Sequence, residues 1–203
     1  MAARVTVFID WQNVYGSARR TFHRSQDPYV DGQVDPMKLA TCLTHRNVDQ
    51  ELHQVRVYRG LPDSTRQPTS YGANERQAAA WSAAGVTVVR RPLMYPRGWP
   101  DTSLPGDRPR EKGIDVALAI DFVRLAIEDR YDVGILISGD TDLKPALEAV
   151  WDYRGAAGPR AETAAWSRPD AHCPRLAMVG RNLWCHWMDR GVYASVQDRF
   201  DYS

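Results

Sequence analysis

The sequence predicts an α/β fold: a three-layer α/β/α arrangement around a central, mostly parallel sheet in the strand order 3-2-1-4-5. Three observations carry this reading. Short, β-branched apolar runs alternate with helix-length segments, the pattern of crossover units in a parallel sheet. Two of those runs, residues 5–9 and 133–137, end in acids, Asp10 and Asp140. The two acids meet only if their strands are neighbours with the switch point between them, where ligands of open α/β sheets bind.

The elements follow in order. Residues 5–9 read as the first strand, and Asn13 is a fair N-cap for a helix over 13–20. Arg19, Arg20, His23 and Arg24 cluster just beyond, and residues 25–35 read as a loop. Asp35-Pro36 opens a helix to about His45 with Met37, Leu39, Ala40 and Leu43 on its apolar side. Residues 54–58 are the second strand. A helix over 71–84 closes at Gly85, a good residue beyond a C-cap. Residues 86–89 are the third strand, and 91–111, rich in Pro, Gly and Arg, is too long and polar for a plain connection. The segment 113–128 is apolar nearly all round, which predicts a buried helix. Strand 133–137 then runs into a helix over 141–153 whose Pro145 lies in the first turn. Beyond Trp151 the pattern loosens into a strand at 160–166, an extended run at 183–187 and a short helix at 191–196. The chain, 1–203, is expected to form one domain.

Composition narrows the function classes. The hydrophobic fraction of 43% and charged fraction of 25% are those of a globular protein. No apolar run approaches the roughly 20 residues of a membrane helix, and the N-terminus enters a strand without a secretory signal, so the expected location is cytoplasmic. A net charge of +1 means that any basic surface is local. The positive charge is nearly all arginine, which suits bidentate phosphate contacts; a G+C-rich coding sequence gives the same bias. Three cysteines without a CxxC argue against a disulfide framework. His172-Cys173 and Cys185-His186 could supply zinc ligands, with ordinary buried thiols as the alternative.

The chemistry concentrates in acids. Asp10 ends one strand, Asp140 and Asp142 follow another, and Asp115 sits in the first turn of the apolar helix, where it also gains from the helix dipole. Asp121, on the same helix, points roughly 120° away from Asp115 and could pair with Arg124. Each acid has a simpler role as a helix cap. Together, four acids at one sheet edge repel one another, and such a cluster persists when a hard cation neutralises it; oxygen ligands point to Mg2+ or Mn2+. A basic neighbour, Lys112 or Lys144, could do the same. The expectation is that Asp10, Asp115 and Asp140 lie within shared reach of one ion, with ligand oxygens about 4–5 Å apart.

These residues resemble a known family. FIDWQN at 8–13, KGIDVALAID at 112–121, SGDTDLKPALEAV at 138–150 and YRG at 58–60 look like the signature blocks of NYN domains, in the PIN-like superfamily of metal-dependent ribonucleases. The resemblance covers about 4–153 and leaves 154–203 as a C-terminal extension. It implies a PIN-like fold and hydrolysis of RNA phosphodiesters, with a silent RNA-binding or regulatory module as the alternative. Asp10, Asp115, Asp140 and Asp142 would be the metal-binding acids. Asn13 would position water or phosphate. Ser138 and Thr141 would line the turn, and Glu75, the nearest candidate for a further acid, stays unassigned.

RNA binding would fall to the segment 90–112. Arg90, Arg91, Arg97 and Lys112 are interleaved there with Tyr95 and Trp99, a mixture that suits phosphate contacts and base stacking on a single strand. The alternative is a solvated loop with its aromatics tucked beneath. Oligomeric state is open, a homodimer among the options.

Overall fold

The computed structural model describes residues 2–101, 106–153, 155–170 and 174–202. Its elements are β1 (Ala3–Asp10), α1 (Trp11–Phe22), α2 (Pro36–Thr44), β2 (Gln50–Leu61), α3 (Pro68–Ala83), β3 (Thr87–Pro92), α4 (Ile114–Ile127), β4 (Val133–Ile137), α5 (Lys144–Asp152), β5 (Arg160–Trp166), β6 (Cys185–Met188) and α6 (Arg190–Val196). Six strands form one sheet in the order β3-β2-β1-β4-β5-β6, every neighbouring pair parallel. The expected order 3-2-1-4-5 therefore holds and gains a sixth strand, β6, at the edge.

Alternation along β1 divides its side chains between two cores. Val5, Val7 and Ile9 join α1, α2, Trp81 of α3, and Tyr193 and Val196 of α6. Phe8 joins Tyr58, Leu136 and the inner faces of α4 and α5. Asp10 continues the Phe8 side of the alternation, the side of the sheet that α4 covers. Gly134 on β4 has a packing reason: a Cβ there would stand 2.9 Å from both the Phe122 and Tyr131 rings.

Several boundaries differ from those the sequence predicts. Helix α1 begins at Trp11 and is capped by Asp10, whose carboxylate accepts the Asn13 N–H, so Asn13 is inside the helix and is not its cap. Asn13 spends its side chain elsewhere, accepting the Gly139 N–H at 2.9 Å. Strand β3 runs on through Arg90, Arg91 and Pro92, which an edge strand tolerates. The helix expected over 141–153 is a 3-10 turn, Thr141–Leu143, followed by α5.

Helix α4 is not buried all round. Val116, Ile120 and Ile127 are 59%, 56% and 54% exposed, while Ile114, Leu118, Phe122 and Leu125 are buried. Its polar side is used up by Asp121, which pairs with Arg124 as expected (2.9 Å) but also accepts from Arg56 at 2.6 Å and from the Tyr58 hydroxyl at 2.9 Å. Burial alone would raise the Asp121 carboxyl, but the donors from Arg124, Arg56 and Tyr58 outweigh it and hold it below its ordinary value. Such a group stabilises the fold above the unfolded-state value and loses that contribution as pH falls through the folded one. Asp121→Ala is expected to cost about 2 kcal/mol at pH 7 by urea unfolding, because Arg56 is left buried without its acceptor. The part of this cost that belongs to the ionised carboxylate is lost as pH falls through the folded value.

The segment 160–196, expected as an extension, supplies β5, β6 and α6, and α6 is tied back by Asp35 N–H to Val196 carbonyl (2.8 Å). His172 and Cys173 lie outside the described residues; of their proposed zinc partners, Cys185 is a buried free thiol and His186 is engaged by Glu162 at 2.7 Å.

Candidate acidic site at the carboxyl edge of the sheet

The parallel sheet delivers the C-terminal ends of β1 and β4 side by side, with Ile9 paired to Ile137. Asp10 and Ser138 follow directly, and Ser138 Oγ donates to Asp10 Oδ2 at 2.7 Å while accepting the Asp140 N–H at 3.0 Å. This hydrogen-bonded bridge ties the two strand ends together. A cleft of about 410 Å³ opens above it, lined by Asp10, Gln12, Asn13, Arg20, Pro109, Arg110, Glu111, Asp115 and Asp140.

Asp10 is 4% exposed. Burial pushes its carboxyl up to about 6; the hydrogen bonds from Ser138 and Asn13 N–H oppose this, and the charges of Asp115 and Asp140 add to it. Asp115 is raised by burial and then by Asp140 and Asp142. It does not cap α4: the N-cap is Gly113, with φ +76° and no side-chain bond, which leaves the Asp115 carboxylate in the first turn. Asp140 does cap, accepting the Asp142 N–H at 2.9 Å. Capping and cleft lining thus coexist, since a carboxylate has two oxygens. Asp142 and Thr141 are exposed, and Asp142 reaches the site only through its charge on Asp115.

The three acids do not, however, all bring ligand atoms within 4.8 Å of one another. Among the described residues, the only His, Cys, Asp or Glu group with ligand atoms all within 4.8 Å is a different one, His23, Asp27 and Asp31. Asp10, Asp115 and Asp140 share a cleft without converging to that spacing. The reason is electrostatic. Like charges in a desolvated cleft repel, and hydrogen bonds from Ser138 and from the Asn13 and Asp142 N–H groups hold Asp10 and Asp140 to their own strand ends. The donor set still fits a hard cation in kind: oxygen ligands only, partly desolvated. A hydrated ion such as Mg2+, which keeps several waters, suits a wider set of acids.

Sequence reasoning missed Glu111 in this role. It accepts the Gly60 N–H at 2.5 Å, and burial raises its carboxyl, with Asp10 and Asp115 adding to the effect. Its sequence neighbours gave no sign, because its place depends on the end of β2. Glu75 does not line the cleft and instead pairs with Arg90. Arg90 is therefore engaged on the sheet edge and is not a loop cation. Arg91, Arg97 and Lys112 are exposed. Tyr95 is a pin: its hydroxyl donates to Gln67 (2.7 Å), accepts the Asp63 N–H (2.8 Å), and its ring meets Trp99 at 5.2 Å. The tucked alternative thus describes Tyr95. The cations that line the cleft itself are Arg20 and Arg110.

The family model of the NYN domain matches residues 4–158. Among solved structures, a Vibrio parahaemolyticus protein described as of unknown function is 19% identical, with 83% of each chain covered and a TM-score of 0.49. No curated protein matches the chain.

Proposed function

This chain belongs to the NYN domain family, and from that premise we propose that it is a metal-dependent ribonuclease acting on single-stranded RNA. The observation that carries the reading is the cleft at the β1–β4 edge, where Asp10, Asp115, Asp140 and Glu111 are brought together with Arg20 and Arg110 at the rim. Asp10, Asp115 and Asp140 would hold Mg2+ or Mn2+, with the charge of Asp142 adding to the pull on the ion. The ion would acidify a bound water and offset charge on the phosphate under attack.

The chain's own residues account for the rest. Ser138 fixes the Asp10 carboxylate and the turn that carries Asp140, so both acids are aimed before substrate arrives. Asn13, anchored by Gly139, keeps its amide N–H2 group to position water or a phosphate oxygen. Arg20 and Arg110 supply guanidinium forks for the flanking phosphates. Arg91, Arg97, Lys112 and Trp99 extend the same track outward. The wider spacing of the acids favours a second reading, an RNA-binding module without cleavage.

One experiment separates the two. Short single-stranded RNA and DNA are incubated with the protein and Mg2+ or Mn2+, beside Asp140→Asn. Cleavage of RNA that needs the metal and is lost in the variant supports the nuclease. Binding without cleavage in the wild type supports the module. Salt dependence checks the track: with the Asp140→Asn background preventing cleavage, Arg20→Ala with Arg110→Ala should reduce the log–log salt slope by about 1.4, roughly 0.7 per phosphate contact. Arg90→Ala, whose side chain is committed to Glu75, should barely change it.

A further inference from the structure

We infer that His23, Asp27 and Asp31 form a second cation site, selective for a transition metal such as Zn2+ and separate from the acidic cleft. The three residues recur at a spacing of four, H-x3-D-x3-D, from the C-cap of α1 into the following loop. One ligand atom from each lies within 4.8 Å of the others, a condition no other such group among the described residues meets.

The distances suit a cation held between the three residues. His23 Nδ1 stands 3.6 Å from Asp27 Oδ2 and 3.9 Å from Asp31 Oδ2. Both exceed hydrogen-bond length. They are close to the separation of two ligands around one Zn2+, roughly 3.3–3.6 Å for bonds of about 2 Å in tetrahedral geometry. The imidazole is largely buried, its side chain 13% exposed. Among the described residues neither carboxylate has a lysine or arginine ion pair, and the ion-pair partner of both is the His23 ring.

Two of the three residues, His23 and Asp31, are also oriented from behind, as metal ligands are. The other ring nitrogen, Nε2, is 2.9 Å from the Tyr193 hydroxyl, which already accepts the Gly32 N–H at 2.7 Å. With Nε2–H donating to Tyr193, the lone pair of Nδ1 faces the two acids. Asp31 accepts from Gln197 at 3.3 Å through Oδ1, the oxygen not paired with the ring, while Asp27 Oδ2, the oxygen that faces the ring, itself accepts the Arg24 N–H at 2.8 Å and is fixed in place by it. Arg19 holds the loop from outside by donating to the carbonyls of Asp27, Pro28 and Asp31, leaving their carboxylates turned towards His23. A nitrogen ligand beside two carboxylates favours Zn2+ over Mg2+, because imidazole suits transition metals and Mg2+ prefers oxygen and water. Three protein ligands leave room for water. The ion would fasten the 23–35 loop to the end of α1 and to Tyr193 of α6.

The test is calorimetric titration of Zn2+ into EDTA-treated full-length protein held in excess Mg2+, which occupies sites that prefer hard oxygen ligands. One Zn2+ per chain is expected, with affinity reduced about tenfold or more in His23→Gln and in Asp31→Asn, and unchanged in Asp140→Asn. Asp31→Asn serves as the second variant because its change is near the surface and keeps the shape. Co2+ substitution should give a visible-region spectrum that His23→Gln abolishes. No Zn2+ binding in the wild type would overturn the inference. So would binding that both variants retain, or binding lost only in Asp140→Asn.

Discussion

A chain cut after Gly158, where the family match ends, is expected not to fold. The match stops there, but the sheet does not. Strand β5 covers the open side of β4 through pairs from Val133–Arg160 to Ile137–Ala164, and β6 pairs with β5 in turn. Trp166 is buried, donates to the Val14 carbonyl at 3.1 Å and packs edge-on against Phe22 and Tyr193. Removing 159–203 strips Trp166, Met188, Tyr193 and Val196 from one core and Leu176, Met178 and Leu183 from the other. At about 2–5 kcal/mol for each large side chain lost, the sum exceeds the ~5–15 kcal/mol stability of an ordinary domain. Trp166→Ala alone should cost about 3–5 kcal/mol, and Trp166→Phe, which keeps a ring but not the N–H donor, less. Circular dichroism and urea melts of the three proteins check the series. A cooperative melt of 1–158 near the full-length temperature would show that the C-terminal strands are an appendage.

The sequence makes some of this legible and hides the rest for physical reasons. Strands β1 and β4 were legible because they are buried on both faces and read as unbroken apolar runs. Their order was legible because only adjacency lets Asp10 and Asp140 share an edge. The cap of α1 was not, since Asp10 and Asn13 both suit that position and the choice is made by Gly139, far along the chain, which takes the Asn13 side chain. The exposed face of α4 was equally hidden: Val116, Ile120 and Ile127 leave no polar stripe, so periodicity has nothing to report about which side meets the core. Glu111 enters the cleft through a bond to Gly60 on β2, which no local pattern encodes. Sequence could name Asp10, Asp115 and Asp140 and the sheet edge they share, but not Glu111. The spacing of their oxygens depends on repulsion set against Ser138 and the backbone donors, and that is a three-dimensional quantity.

Asp10→Asn is expected to gain stability and lose metal-dependent cleavage together. In the folded protein the Asp10 carboxyl is pushed up to about 6, chiefly by burial, with Asp115 and Asp140 adding their charge. A raised acid binds its proton more tightly folded than unfolded. Its ionisation therefore costs stability as pH climbs from the unfolded value near 4 through the folded value near 6, and the cost is constant above. That cost is about 2–3 kcal/mol at neutral pH. Asparagine cannot ionise, yet its oxygen still accepts the Asn13 N–H as an N-cap does. Its amide can donate to Ser138 Oγ in place of the bond now running the other way. The variant should thus be more stable than wild type at pH 8 by about 2 kcal/mol without metal, and no more stable at pH 4. Excess Mg2+ should raise the wild-type melting temperature by mass action and narrow or reverse the gap, while the variant responds less. Cleavage of single-stranded RNA should fall about a hundredfold or more, as expected when a metal loses a charged ligand. Thermal melts at pH 4 and pH 8 with and without Mg2+, beside a cleavage assay on the same samples, decide the matter. Full activity in Asp10→Asn, or an equal Mg2+ response in both proteins, would assign Asp10 to capping α1 alone.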